Sequence, residues 1–197
     1  ALPACVPASP SLRASDEAAT WRKRLWTAAL ATLDKVPATF SNPLDGTGWM
    51  INQLAHLHAA LLTPGRRFGL ALDEAGADDL RRRLQSLLGL WAELALATTP
   101  FSLLSHATSR TACVTADEFA TAWRSSSRTP IDALVHRALQ SFADLQTAAA
   151  AVAAARTAVV HDHWTRFKRL LAASEVECPL TDDEVDNHPG WQTLQQP

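Results

Sequence analysis

The sequence predicts an all-α protein: an elongated bundle of four main helices, with shorter helices and irregular termini. Three observations carry this prediction. Apolar residues recur at three-to-four spacing along most of the chain. Proline and glycine gather at a few points and punctuate it. The stretch from Pro130 to Ala173 contains no glycine and no internal proline. At about 1.5 Å per residue, its roughly 44 residues would make a rod of about 66 Å. A compact globule of this length is only about 42 Å across. Either the protein is elongated, or this helix breaks where the sequence shows no breaker.

The elements follow in order. Residues 1–14 hold three prolines and no periodicity, which reads as an extended leader. Ser15 is a good N-cap, with Asp16 and Glu17 in the first turn, where the helix dipole favours acids. A first helix over 15–36 places Ala18, Trp21, Leu25, Ala28, Leu33 and Val36 in one stripe and stops at Pro37. The segment Ser41-Asn42-Pro43-Leu44-Asp45-Gly46-Thr47-Gly48 is dense in turn residues and reads as a loop. A second helix, 48–62, carries Met50, Leu54, Leu57 and Leu61 and ends at Pro64-Gly65. Residues 66–76 are punctuated by glycine and read as a loop.

A third helix, 77–97, has Asp78 and Asp79 in its first turn. Its second half is apolar on nearly every side, as in a surrounded helix, so it is expected at the centre, with Gly89 admitting a close neighbour. A short helix is expected over 100–107. Thr115-Ala116-Asp117-Glu118 has the capping-box pattern and predicts a helix over 116–124. Thr129-Pro130 is a sharp helix start, with Thr as cap and Pro at the first helical position. The fourth helix, 130–173, has a continuous seam from Ile131 to Leu170. The alanines from Ala148 to Ala155 thin its middle, where a neighbouring helix can approach closely. Beyond residue 174 the periodicity is lost, but Thr181-Asp182-Asp183-Glu184 caps one short helix and His188-Pro189-Gly190 is a turn. The domain reading is a leader (1–14), one helical-bundle domain (15–174) and an acidic irregular tail (175–197).

Composition narrows the class. The chain is 47% hydrophobic and 19% charged, which is globular rather than disordered. No run of eighteen apolar residues occurs, so no membrane span is expected. The chain starts Ala1-Leu2-Pro3, which points to processing or excision from a longer polypeptide. Arginine greatly outnumbers lysine and tyrosine is absent, a bias typical of a GC-rich bacterial or viral genome. Net charge is −2, unevenly spread: six acids and no Lys or Arg follow Arg169, leaving 18 basic against 14 acidic residues before that point. That modest excess does not argue for nucleic acid. The tail reads as a solvated or loosely docked end. A sharper alternative lays it across Arg81-Arg82-Arg83 or Arg22-Lys23-Arg24.

The search for chemistry returns little. Cys5, Cys113 and Cys178 form no CxxC. In an oxidising compartment Cys5 and Cys178, both beside prolines near the ends, are the best disulfide candidates; in a reducing one all three are thiols. One helix supplies two metal ligands from one face only at spacings of three or four. His56/His58 and His161/His163 are two apart, about 200° around a helix. A metal site would have to be composite, from His58, His163 and Glu93; a hydrogen-bonded histidine and a wet strip through Arg82, Ser86, Gly89 and Glu93 explain the same residues. Asp132 and His136 read as a helix-surface pair. The tryptophans read as core packing. There is no GxSxG elbow, P-loop or GxGxxG, so no catalytic residue and no cofactor is assigned.

The expected function is therefore a non-enzymatic protein–protein interaction or structural module, such as part of a larger assembly protein or an effector. Its partner would be a protein, and the basic runs Arg81, Arg82, Arg83 and Arg22, Lys23, Arg24 are its candidate contacts. Two alternatives stand beside it: a metal-dependent helical-bundle enzyme, and a secreted cytokine-like ligand tied by Cys5 and Cys178.

Overall fold

A computed structural model describes residues 10–62, 74–125 and 128–194. They are helical with no strand among them, as expected. The helices are α1 (Pro10–Leu33), α2 (Pro43–Leu62), α3 (Glu74–Ala97), α4 (Phe101–His106), α5 (Ala112–Ser125), α6 (Pro130–Ser141), α7 (Leu145–Thr157), α8 (Thr165–Ala173) and α9 (Asp182–Val185). A π-helical segment, Ala158–Trp164, joins α7 to α8, and 3-10 turns lie at Pro37–Thr39 and Pro189–Gln192.

The expected rod over 130–173 is not continuous. α6 starts as the sequence says, with Pro130 at the first position and the Thr129 hydroxyl accepting from the Asp132 N–H at 3.2 Å. It stops at Phe142, whose backbone is extended (φ −116°, ψ 138°). Asp144 then caps α7, its carboxylate accepting from the Thr147 N–H and hydroxyl at 2.7 Å each. Asn52 of α2 reaches across the gap: its amide N–H donates to the Ser141 carbonyl (2.9 Å) and its amide oxygen accepts from the Ala143 N–H (3.1 Å). Phe142 is buried against Trp91, ring centroids 5.1 Å apart. Helix ends are stable only when their orphan backbone groups find partners, and here a distant side chain supplies them.

The break turns α6 back along α7. The Pro189–Gln192 turn packs on both helices. Gly190 sits against Ile131 and Asp132 at the start of α6, and Arg156 near the end of α7 pairs with Asp186 at 3.3 Å. From Leu145 to Ala173 the chain is helical throughout, roughly 40 Å long at 1.5 Å per residue. That length fits a globule of this size, so the conflict posed by the sequence resolves through a break. In the π segment the Thr165 N–H bonds to the Val160 carbonyl, five residues back, and so does the Thr165 hydroxyl, at 2.7 Å.

Other boundaries move for local reasons. α1 starts at Pro10, so residues 10–14, read as part of the leader, are helical and Ser15 lies inside the helix; residues 1–9 lie outside the described set. α2 starts at Pro43, five residues early. Asn42 receives the Leu44 N–H at 3.0 Å, and the two glycines read as loop are buried in the helix. Gly46 is required there: a Cβ would stand 2.9 Å from the Pro37 carbonyl oxygen. Conversely, nothing lies within 4 Å of a Cβ at Gly89, so that glycine admits no close neighbour. α5 starts at Ala112, which puts Thr115 within the helix and leaves its capping-box pattern unused.

The buried residues form two clusters. The smaller joins α1, α2 and the start of α3 through Leu30, Met50, Leu54 and Leu80. The larger runs from the second half of α3 through α4–α8 and into the C-terminal segment. α3 packs against both α2 and α7, the central place expected of it. Its wet strip is also present, with Arg82, Ser86 and Glu93 exposed.

The tail differs most from expectation. Leu180, Val185 and Trp191 are buried in the main core, and the Trp191 indole donates to the Val185 carbonyl at 2.8 Å. The expected capping box at Thr181 and Glu184 closes α9. Among the described residues its acids make no ion pair with Arg81, Arg82, Arg83, Lys23 or Arg24. Asp182 pairs with Lys168 (2.5 Å), Asp186 with Arg156, and Arg124 donates to the Pro179 carbonyl (2.9 Å). Burial of three apolar side chains, not charge, is the main reason the tail docks.

Candidate interaction surface

The basic runs named by the sequence have different fates. Arg81 pairs with Asp78 (2.6 Å), Arg82 with Asp79 (3.7 Å), and Arg83 with Asp79 (3.2 Å) and Asp34 (3.5 Å). These exposed pairs at helical spacing leave little free charge for a partner, and each contributes at most about 1 kcal/mol. On α1, Lys23 and Arg24 are exposed and have no ion-pair partner among the described residues; the side chain of Arg22 lies outside the described set.

α1 has apolar residues on two sides. Trp26, Leu30 and Leu33 pack toward the smaller core cluster. Trp21 and Leu25 lie about 125° away around the helix, and they stay 64% and 58% exposed. Ala28, one turn further on, is also exposed. Trp21 and Leu25 were expected in the core stripe with Leu33; the structure puts them outside. No sequence signal separates the two sides, because both are apolar. A helix apolar on opposite sides is normally covered on both. Arg24 borders the exposed stripe.

The composite histidine site does not assemble as a metal centre. Among the described residues no three His, Cys, Asp or Glu side chains are placed to hold an ion. His58 is half-buried on α2, His163 is half-buried on the π segment, and Glu93 is exposed. His163 shares the fields of Asp162, Arg166, Glu93 and His106, but burial is the largest influence and holds its pKa below the ordinary 6.5. Asp132 bonds to the Thr129 hydroxyl (2.8 Å) and His136 to Gln140 (3.1 Å), so the expected Asp132–His136 pair is absent. Cys178 is half-buried, which pushes its thiol up. Cys5 lies outside the described residues.

The His163 environment has a measurable consequence. A neutral imidazole is favoured in the folded chain, so the unfolded chain binds more protons between the two pKa values. The contribution of His163 to stability is complete above pH 6.5 and is lost as pH falls from there toward its folded pKa. Urea midpoints are expected to drop between neutral pH and about pH 5.5, and to drop less in His163→Gln. An unchanged pH slope in that variant would remove His163 as the cause.

Comparison of the chain with protein-family models, with curated proteins and with solved structures returns no match. The functional reading rests on the chain's own surface.

Proposed function

We propose that the protein is a non-enzymatic helical interaction module that docks an acidic, amphipathic helix of a protein partner on the outer side of α1. The observation that carries this is the exposed Trp21–Leu25 stripe on a helix already anchored by its opposite side. Arg24, which borders it and has no ion-pair partner among the described residues, sets the charge preference. Aromatic anchors with flanking charge are the common currency of such contacts. An apolar helix laid alongside would bury Trp21 and Leu25, each worth about 1.5–3 kcal/mol when fully covered.

The test is titration with two synthetic helical peptides of one leucine pattern, one with glutamate and one with lysine at the flanking positions. The glutamate peptide is expected to bind, more weakly as salt rises. Trp21→Glu with Leu25→Glu should abolish binding and leave thermal stability unchanged, since both side chains are solvent-facing. Equal binding of both peptides, or binding that survives the double substitution, would remove α1 as the docking surface.

A further inference from the structure

The docked tail is tied to the body by a short and strained connection. α8 ends at Ala173, and residues 174–179 alone separate it from Leu180, the first buried residue of the tail. Glu175 lies in that stretch with φ 56°, the one non-glycine residue at positive φ among the described residues. Its N–H donates to the Ala172 carbonyl at 3.3 Å, and the Val176 N–H donates to the Leu171 carbonyl at 3.0 Å. Helices commonly end in this pattern with glycine at the left-handed position. A residue with a Cβ is disfavoured there.

The sequence offers a release from this strain. Ser174-Glu175-Val176-Glu177 contains neither glycine nor proline, and Pro179 disfavours helix only from Cys178 onward. α8 can therefore run on by one turn to Glu177. In that register the Glu175 N–H bonds to Leu171 and the Val176 N–H to Ala172, so the two groups trade acceptors and no backbone bond is lost. What is given up is the Ser174 hydroxyl bond to the Ser109 carbonyl (3.3 Å) and the partial burial of Val176. The continued helix carries the tail away from its own groove. Everything that docks the tail lies beyond the junction: the buried Leu180, Val185 and Trp191, the Arg124 bond to the Pro179 carbonyl, and the pairs Lys168–Asp182 and Arg156–Asp186. None of these contacts depends on which copy of the chain supplies the tail. A short hinge loop under strain favours exchange of the element it carries, and exchange between identical chains closes as a two-fold dimer.

We propose that residues 175–194 exchange between two copies of this chain, so that each body holds the Leu180, Val185 and Trp191 of the other. In the exchanged form α8 runs straight through Glu175. The groove is already shaped to this tail, and a second copy presents the same one. The dimer sets two α1 surfaces on one particle, which strengthens binding to a repeated partner without new contacts. That consequence rests on the α1 reading; exchange itself does not.

The test uses two variants of the full chain. Arg156→Glu and Asp186→Lys each set like charges face to face, in the closed and in the exchanged form alike. Both side chains are half-buried at the surface, so each variant folds. When the two are refolded together from urea, each variant's tail finds an opposite charge only in the other variant's groove. Sedimentation is expected to show a one-to-one dimer in the mixture, about tenfold or more tighter than the dimer of either variant alone. The parent, refolded alone, should dimerise below about 1 mM. Glu175→Gly relieves the left-handed strain and weakens the continued helix, so it should loosen the parent dimer by about tenfold or more; Glu175→Ala keeps the strain and favours the helix, so it should not. A parent still monomeric at that concentration, a mixture no more dimeric than its components, or equal dimers in Glu175→Gly and Glu175→Ala would overturn the proposal. None of these outcomes bears on peptide binding at α1.

Discussion

Replacing Trp164 with alanine is expected to lower stability by about 3–5 kcal/mol, the usual cost of emptying a buried tryptophan site. The reason is its position. Trp164 is 1% exposed at the end of the π segment, with Phe119 of α5 and Phe167 of α8 at ring-centroid distances of 6.2 and 6.3 Å. Its indole N–H donates to Asp182 at 2.9 Å, and Lys168 lies 5.9 Å from the ring centroid while bonding the same carboxylate. One side chain therefore holds the π segment, the aromatic centre and the docked tail together. In a chain of this size such a loss lowers the melting temperature by about 10 °C or more. Trp164→Phe separates the parts: it keeps most of the ring volume and loses the bond to Asp182, for about 1–2 kcal/mol. The Asp182 carboxyl is held below its ordinary pKa by its bonds to Lys168 and then Trp164. Its contribution is thus present above the ordinary carboxylate pKa of about 3.9 and fades as pH falls through the lower folded value. Urea unfolding followed by circular dichroism checks all three statements. A loss below about 1.5 kcal/mol for the alanine variant would mean the site closes without the indole.

The second large effect concerns the helix break. Asn52→Leu is expected to cost about 2–3 kcal/mol, because it strands the Ser141 carbonyl and the Ala143 N–H at once. Ala143 is exposed, and water reaching it keeps the cost from rising further. Asn52→Asp retains an acceptor for the Ala143 N–H and faces the Ser141 carbonyl with a carboxylate oxygen. It should fall between the parent and the leucine variant. Asp144→Ala removes the cap of α7 and costs about 1 kcal/mol. Both changes act on one junction, so their combination should depart from additivity. Amide exchange at Ala143 gives a local check: it should accelerate in Asn52→Leu well beyond the global loss of stability. Unchanged exchange would show that Phe142 and Asp144 hold the break without Asn52.

The candidate surfaces were legible to different degrees. The pairing of Arg81, Arg82 and Arg83 with Asp78 and Asp79 is written in their three-and-four spacing. The exposure of Trp21 and Leu25 is not, because an apolar stripe records what a helix can cover and not whether anything covers it. The junction at the helix break is still less legible. Asn52 stands about ninety positions from Ser141 and Ala143, and only the packing of α2 on α6 brings them to one place.

What the sequence alone determined is what depends on contacts within one or two turns. The all-α class, the Thr129-Pro130 start, the Thr181–Glu184 box and the central α3 came from local spacing, capping chemistry and apolar periodicity. Tertiary structure decided the rest. Pro130–Ala173 has no residue that forbids a helix, yet it divides at Phe142, because Asn52 and Trp91 reward the division with two hydrogen bonds and a buried ring. Gly46 and Gly48 look like turn residues and are helical, because a neighbouring backbone comes too close for a side chain at the first. The acidic tail looks solvated and is docked, because Leu180, Val185 and Trp191 find a cavity that other helices build. In each case the deciding free energy comes from groups distant along the chain, and a local pattern carries no record of them.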